Sequence, residues 1–301
     1  MELQWPLILF TFFVCLSAGI LFMQALLSFM GKAKELQFTT LLTSGIMLVI
    51  GGIAVFLHLE HWERIFNGFG HITSGITQEL IGVILMGITI IAFWLLERRD
   101  ENNEAPKWMT IVAMIVPIGM VIVMAHSYNM ASLPTWNTFL LEAFYLVNMV
   151  LLGSIALLII AAARKCSDAY AVCELVAIIA AIAHLVVLAI YAFYLNGASA
   201  ATYSDHGLYF DPTLPDVAVT VPAESMASLL TGNLALPYWL GSMICGGLVP
   251  VVCMLLARKA SAEDHSKHLA YGVVAFLGAV VGSIAWRGIL YVLALSMFAI
   301  F

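Results

Sequence analysis

The chain has 301 residues, 63% of them hydrophobic and only 10% charged, with a net charge of −6; soluble domains run at about 25% charged. A mean hydropathy of +1.02, with 17 Phe, 15 Met and 7 Trp, leaves too little polar surface to clothe a soluble globule. This composition describes an integral membrane protein and excludes a nucleic-acid-binding or intrinsically disordered chain.

A bilayer core needs ~20 apolar residues per helix. Eight segments qualify, at about 5–31, 36–59, 74–96, 107–129, 137–163, 170–195, 236–258 and 269–300. Backbone in lipid must be helical or in a closed barrel, and none of these segments shows the dyad alternation of a barrel strand. The expected fold class is therefore an all-α integral membrane protein, a single domain of eight transmembrane helices. The first segment lacks a charged stretch before it and a small-residue cleavage site after it, so it reads as a spanning helix rather than a signal peptide. Pro117 and Pro250 interrupt the fourth and seventh segments, and Gly278 and Gly282 give the eighth a close-packing face. Cys15, Cys166, Cys173, Cys245 and Cys253 form no CxxC pair. They read as small packing residues, which leaves no iron–sulfur cluster or zinc ribbon carried by this chain.

Charge sets the orientation. Lys32, Lys34, Arg98, Arg99, Lys107, Arg164, Lys165, Arg258, Lys259 and Lys267 all fall in connections on one side, ten of the twelve cations. The positive-inside rule makes that side cytoplasmic and puts both termini outside. The Ala-Arg-Lys endings at 163–165 and 257–259 need no internal repeat, since two cytoplasmic helix ends explain them equally well. On the outer side, residues 196–235 form a long loop with Asp205, Asp211, Asp216 and Glu224 and no Lys or Arg. It reads either as a polar cap or as a docking surface for an extracytoplasmic partner.

Ionisable groups inside helices are costly in hydrocarbon and mark function. They are His58, Glu79, His126, Glu142, Glu174, His184 and Arg287. His58 ends the outward-running second segment, and Glu79 lies one to two turns below the start of the third. A short loop joins the two segments, so both can share an outer-leaflet pocket with His61, Arg64 and His71 nearby. A histidine and a carboxylate at that boundary suit quinol oxidation, which must shed protons as electrons leave. The alternative is an interfacial His and a Glu bonded to a neighbouring helix. His126 and His184 lie at different depths, so a b-type haem is the weaker reading. Glu142 and Glu174 read as interfacial. Arg287 is more deeply placed and needs a partner, for which Glu79 or a headgroup oxygen qualifies. A secondary transporter would predict internal repeats and midplane charges, and neither is visible.

Four stretches carry a resemblance that runs almost end to end. They are Gln4-Trp5-Pro6-Leu7-Ile8-Leu9-Phe10-Thr11, then Leu57-His58-Leu59 with Arg64-Ile65-Phe66-Asn67, then Leu133-Pro134-Thr135-Trp136 after Tyr128-Asn129, and finally Arg287-Gly288 with Tyr291. In these the chain resembles the membrane anchor subunit of the dimethyl sulfoxide reductase family. The resemblance implies menaquinol as substrate, oxidised at the outer face of a bacterial cytoplasmic membrane, with no haem or iron–sulfur cluster bound by the chain. It also implies a four-cluster ferredoxin-like iron–sulfur subunit and a molybdopterin-containing catalytic subunit as partners. The family's quinol-site histidine falls on His58 and its acidic residue on Glu79. Beside them His61, Arg64, Arg287 and Tyr291 are candidate quinol-binding residues, Arg64 and Arg287 expected to orient the headgroup or the partner's docking face. Two departures stand out. Glu60-His61-Trp62-Glu63 replaces the family's Gly-x-Pro, and the 196–235 loop is longer and more acidic than usual.

Overall fold

The computed structural model describes residues 3–57, 61, 67, 69–102, 104–131, 133–201 and 229–294, with side chains in the sixth helix described as far as Leu195. Its spanning helices are α1 (Trp5–Phe29), α2 (Gln37–Phe56), α3 (Gly75–Glu97), α4 (Lys107–Ser127), α5 (Phe139–Ala163), α6 (Tyr170–Ala201), α7 (Pro237–Ala257) and α8 (His265–Val292). All eight are long and apolar enough to cross a membrane, and no strand occurs among the described residues. The expected helices are therefore all present, with shifted ends. His58 and Arg64 lie outside the described residues, as do 202–228 of the long loop, whose first residues instead continue α6 to Ala201.

Two of these shifts have a local cause. Helix α8 starts four residues before its apolar run because Asp264 caps it, its carboxylate accepting the Lys267 N–H at 3.2 Å. Capping is a matter of one side-chain oxygen, which hydropathy does not register. In α7, residues Pro237–Leu248 form a π-helix. Its bonds run i→i+5, so residues five apart share a face. That brings Gly241 and Gly246 into line against α8, where a Cβ on the first would meet Ala285 at 2.7 Å and one on the second the Gly282 backbone at 2.8 Å. The widened turns thus let the two backbones approach.

Helices α1 and α5 form the centre, the most enclosed of the eight. They cross at Gly19 and Gly153, where a Cβ on either would run into the backbone of the other. Helices α2 and α4 pack on α1, and α6 and α8 on α5. Helix α3 leans mainly on α4 and α2 and turns most of its surface outward.

The basic connections converge at one end of the bundle. There Lys34 pairs with Glu104, the Lys107 ammonium donates to the Phe29 carbonyl, Arg164 donates to Thr39 at 2.9 Å, and the Ala33 N–H donates to Asp168 at 2.8 Å. At the opposite, distal end the Pro134-Thr135-Trp136 turn acts as a hub. The Thr135 hydroxyl donates to the Leu293 carbonyl at 3.0 Å and the Trp136 indole to Leu290 at 3.0 Å, satisfying orphan carbonyls at the end of α8. Tyr191 and Tyr194 on α6 donate to the Thr135 and Pro134 carbonyls.

Candidate functional site

Glu79 sits ~6 Å below the distal start of α3, counting four residues at ~1.5 Å rise, and is 8% exposed. Helix α4 ends beside it. Gly75 lets the two helices close, since a Cβ there would lie 2.8 Å from the Ser127 Cβ. That approach places the Ser127 hydroxyl on the Glu79 carboxyl, a bond to Oε1. The same hydroxyl reaches the Met124 carbonyl at 2.8 Å. Ser127 has one hydrogen for two acceptors. It can donate to an ionised Glu79, or donate to Met124 and accept from a protonated one. Either charge state of the carboxyl is therefore seated without rearrangement.

The end of α4 serves a second carboxylate as well. His126 meets Glu142 of α5 at 3.4 Å, and the Asn129 amide donates to the same Oε1 at 3.3 Å. Glu142 stands in the first turn of α5, where the helix dipole favours its charge. At the basic end of the bundle Glu174 takes the His268 imidazole at 2.8 Å, and that ring lies 4.2 Å from the Tyr170 ring. The half-buried Glu142 and the buried Glu174 thus have an imidazole partner, while the buried Glu97, at the basic end of α3, leaves its Oε2 without a hydrogen-bond partner among the described residues. Glu79 has a neutral hydroxyl.

Between Glu79 and the bundle centre lies a phenol-rich layer. Tyr128, Tyr145 and Tyr291 fall within electrostatic reach of the Glu79 carboxyl. Trp136 holds two of them edge-on, at 5.5 Å from Tyr128 and 5.2 Å from Tyr291. The buried Tyr291 hydroxyl makes no hydrogen bond of normal geometry, and its near neighbour is the Tyr128 hydroxyl. These rings and Arg287 line a cavity of about 10 Å³, room for about one water and not for a quinone ring.

Arg287 is fully buried, ~8 Å below the distal end of α8. Its Nε donates to the Thr11 hydroxyl at 3.0 Å and its Nη1 to Asn148 Oδ1 at 3.0 Å; Nη1 also donates to the Ser283 hydroxyl, and Nη2 to the Thr11 carbonyl at 3.3 Å. The guanidinium faces the Tyr145 and Phe144 rings at 4.9 and 5.3 Å. Its hydrogen-bond partners among the described residues are all neutral. Glu79, one of the two partners that the sequence allowed, is not one of them. Desolvation is offset by this set of dipoles and ring faces.

Of the other sequence candidates, His61 is exposed at the distal end, and His58 and Arg64 lie outside the described residues. His184 is buried, with both ring nitrogens enclosed and no hydrogen-bond partner. The α7 backbone lies against its Nε2, 3.3 Å from where a Gly246 Cβ would stand. His126, the other histidine of the haem reading, meets Glu142 instead. Among the described residues, no three His, Cys, Asp or Glu side chains converge as metal ligands would. Sequence reading missed Ser127, Tyr128 and Tyr145. Ser127 and Tyr128 look like ordinary helix-end residues, and only the α3–α4 contact reveals them.

A model of the family described as DMSO reductase anchor subunit (DmsC) matches residues 1–293 of the chain. No curated protein matches it.

Proposed function

The chain belongs to the DMSO reductase anchor subunit family, and we propose that it oxidises menaquinol at the distal end of the bundle, with Glu79 as a proton acceptor. Anchors of this family bind quinol and associate with the catalytic and iron–sulfur subunits of their complex. In this reading the distal end faces out of the cytoplasm. It carries a four-cluster iron–sulfur subunit, and that subunit feeds a molybdopterin-containing catalytic one.

The observation that carries the proposal is the character of the Glu79 seat. Glu142 and Glu174 are tied to imidazoles. Glu79 is nearly buried, yet its carboxyl bonds a serine hydroxyl that tolerates both protonation states. A group that must take a proton and release it gains from having no ion pair to break. Quinol oxidation releases two electrons and two protons. A quinol hydroxyl meeting Glu79 passes its proton to the carboxylate as electrons leave toward the iron–sulfur subunit. His58, which follows α2 in the sequence, is the natural acceptor for the second proton. Tyr291 belongs to the phenol layer, and Arg287 acts from beside it as a fixed positive charge in low dielectric that favours the anionic forms of the headgroup.

The test is quinol oxidation by the assembled complex in membranes, with Glu79→Gln and His58→Ala compared with wild type at equal complex content. Both variants should assemble, bind the partner subunits and lose quinol oxidation, while a soluble electron donor still drives the catalytic subunit. Normal turnover with quinol in Glu79→Gln sinks the assignment.

A further inference from the structure

A groove runs down the lipid-facing side of the α3–α4 contact. It measures about 360 Å³, within the range of ligand clefts. Gln78, Gly82 and Leu85 line it from α3, and Ile115, Gly119 and Val123 from α4. Its distal end reaches the level of the candidate site, where Gln78 precedes Glu79 in the chain and Val123 lies one turn below Ser127, though Glu79 and Ser127 are not themselves lining residues. Toward the bilayer centre it reaches Ile115, ~18 Å below Ser127 along the helix axis. The groove is open because Gly119 has no side chain, and a Cβ there would meet nothing within 4 Å.

We propose that this groove seats the isoprenoid tail of the quinol whose headgroup meets Glu79; the inference rests on the function proposed above. The occupant follows from what stands just beyond the distal end, the Glu79 seat proposed above. A quinol presents a hydroxyl that donates to a carboxylate, with its apolar chain leading away from the same ring. A phospholipid would instead bring a phosphate against the Glu79 carboxylate, and no Lys or Arg stands among the described residues lining the groove. A larger groove of about 550 Å³ between α2 and α3 makes the contrast. Its lining, from Ile50 and Gly87 to Phe38 and Trp94, is apolar throughout and sits toward the basic end, with no polar mouth. The chain of the quinol is already in hydrocarbon when free, so the groove contributes packing and confinement rather than transfer from water. It steers the headgroup to Glu79 and sets the direction of approach.

The experiment uses the assembled complex in membranes and two substrates. One is menaquinol with a four-unit tail; the other is menadiol, the same ring system without a tail. Gly119→Leu narrows the groove from a position where an added Cβ meets nothing within 4 Å. It should raise KM for the tailed quinol about tenfold, equivalent to about 1.4 kcal/mol, and leave both kinetic constants for menadiol unchanged. Gly45→Leu, which narrows the α2–α3 groove, should alter neither substrate. Unchanged KM for the tailed quinol in Gly119→Leu overturns the proposal. An equal loss with menadiol does too, and so does an effect confined to Gly45→Leu. If Gly119→Leu fails to assemble, the wild-type complex decides: a quinol with a photoreactive azide at its tail end should label α3 and α4 near Leu85 and Ile115, and labelling elsewhere refutes the tail seat. Glu79→Gln separates the two readings. Normal turnover of both substrates in that variant removes the headgroup assignment, whereas loss of both with a silent Gly119→Leu removes the tail seat alone.

Discussion

Ser127→Ala isolates the contact on which the account turns. The hydroxyl bonds the Glu79 carboxyl, and the Ser127 Cβ forms the surface against which Gly75 closes. Alanine keeps that Cβ, so the α3–α4 packing survives and only the hydroxyl is lost. A hydrogen bond to a charged group contributes about 1.5–3 kcal/mol. If the ionised carboxyl is the proton acceptor, kcat/KM for quinol should fall about 10- to 150-fold, with complex assembly unchanged. The assay is a double-mutant cycle with Glu79→Gln in the intact complex, read on the residual quinol turnover that the glutamine variant retains. In the glutamine background the serine supports only a neutral acceptor, so its removal should cost far less. The two substitutions should then couple by about 1 kcal/mol or more. An equal loss in both backgrounds, or none in either, would refute the argument that Ser127 acts through the carboxylate.

Other parts of the structure make separate predictions. Gly153→Ala forces a methyl into the Gly19 backbone at the α1–α5 crossing; overpacking of about 1–3 kcal/mol should lower the thermal midpoint of the detergent-solubilised protein, whereas an unchanged midpoint would mean the helices do not touch there. His268→Leu strips Glu174 of its imidazole in a buried setting and should destabilise the protein by about 3–5 kcal/mol. Glu174→Leu in addition should restore much of that loss, and neither change should alter quinol KM. At the start of α8, hydrogen bonds from Lys267 and Ser266 hold the Asp264 carboxyl down at about 2. A depressed folded value makes the cap fully effective above pH ~4, the ordinary carboxylate range, and lost as pH falls through about 2. Amide exchange in the first turn of α8 should stay slow down to that point, and early fraying at pH 4 would contradict it.

How much of this was readable in the chain depends on the range of the interaction. The eight spans follow from a rule about lipid that acts on every residue of a segment, so composition alone exposes them. The start of α8 depends on one carboxylate oxygen, and the π-helix of α7 on glycines meeting a partner helix, so neither registers in hydropathy. Glu79 and Arg287 are conspicuous as charges within apolar runs. Their surroundings are not, because Thr11 and Arg287 are separated by 276 residues and Ser127 and Glu79 by 48. A serine at a helix end gains meaning only once α3 is known to lie beside it. Charge alone allowed Arg287 either Glu79 or a headgroup oxygen as its partner. Neutral dipoles and ring faces hold the guanidinium instead, a solution that single-chain reasoning about ion pairs does not anticipate.

Redox-difference infrared spectroscopy of the complex, with quinol as reductant, tests the central claim most directly. If Glu79 takes the proton, oxidation of quinol in wild type produces a carboxyl stretch that shifts on deuteration and on carbon-13 labelling of glutamate, and Glu79→Gln removes it while Glu174→Gln does not. The same band persisting in Glu79→Gln would contradict the account and move proton acceptance to another group.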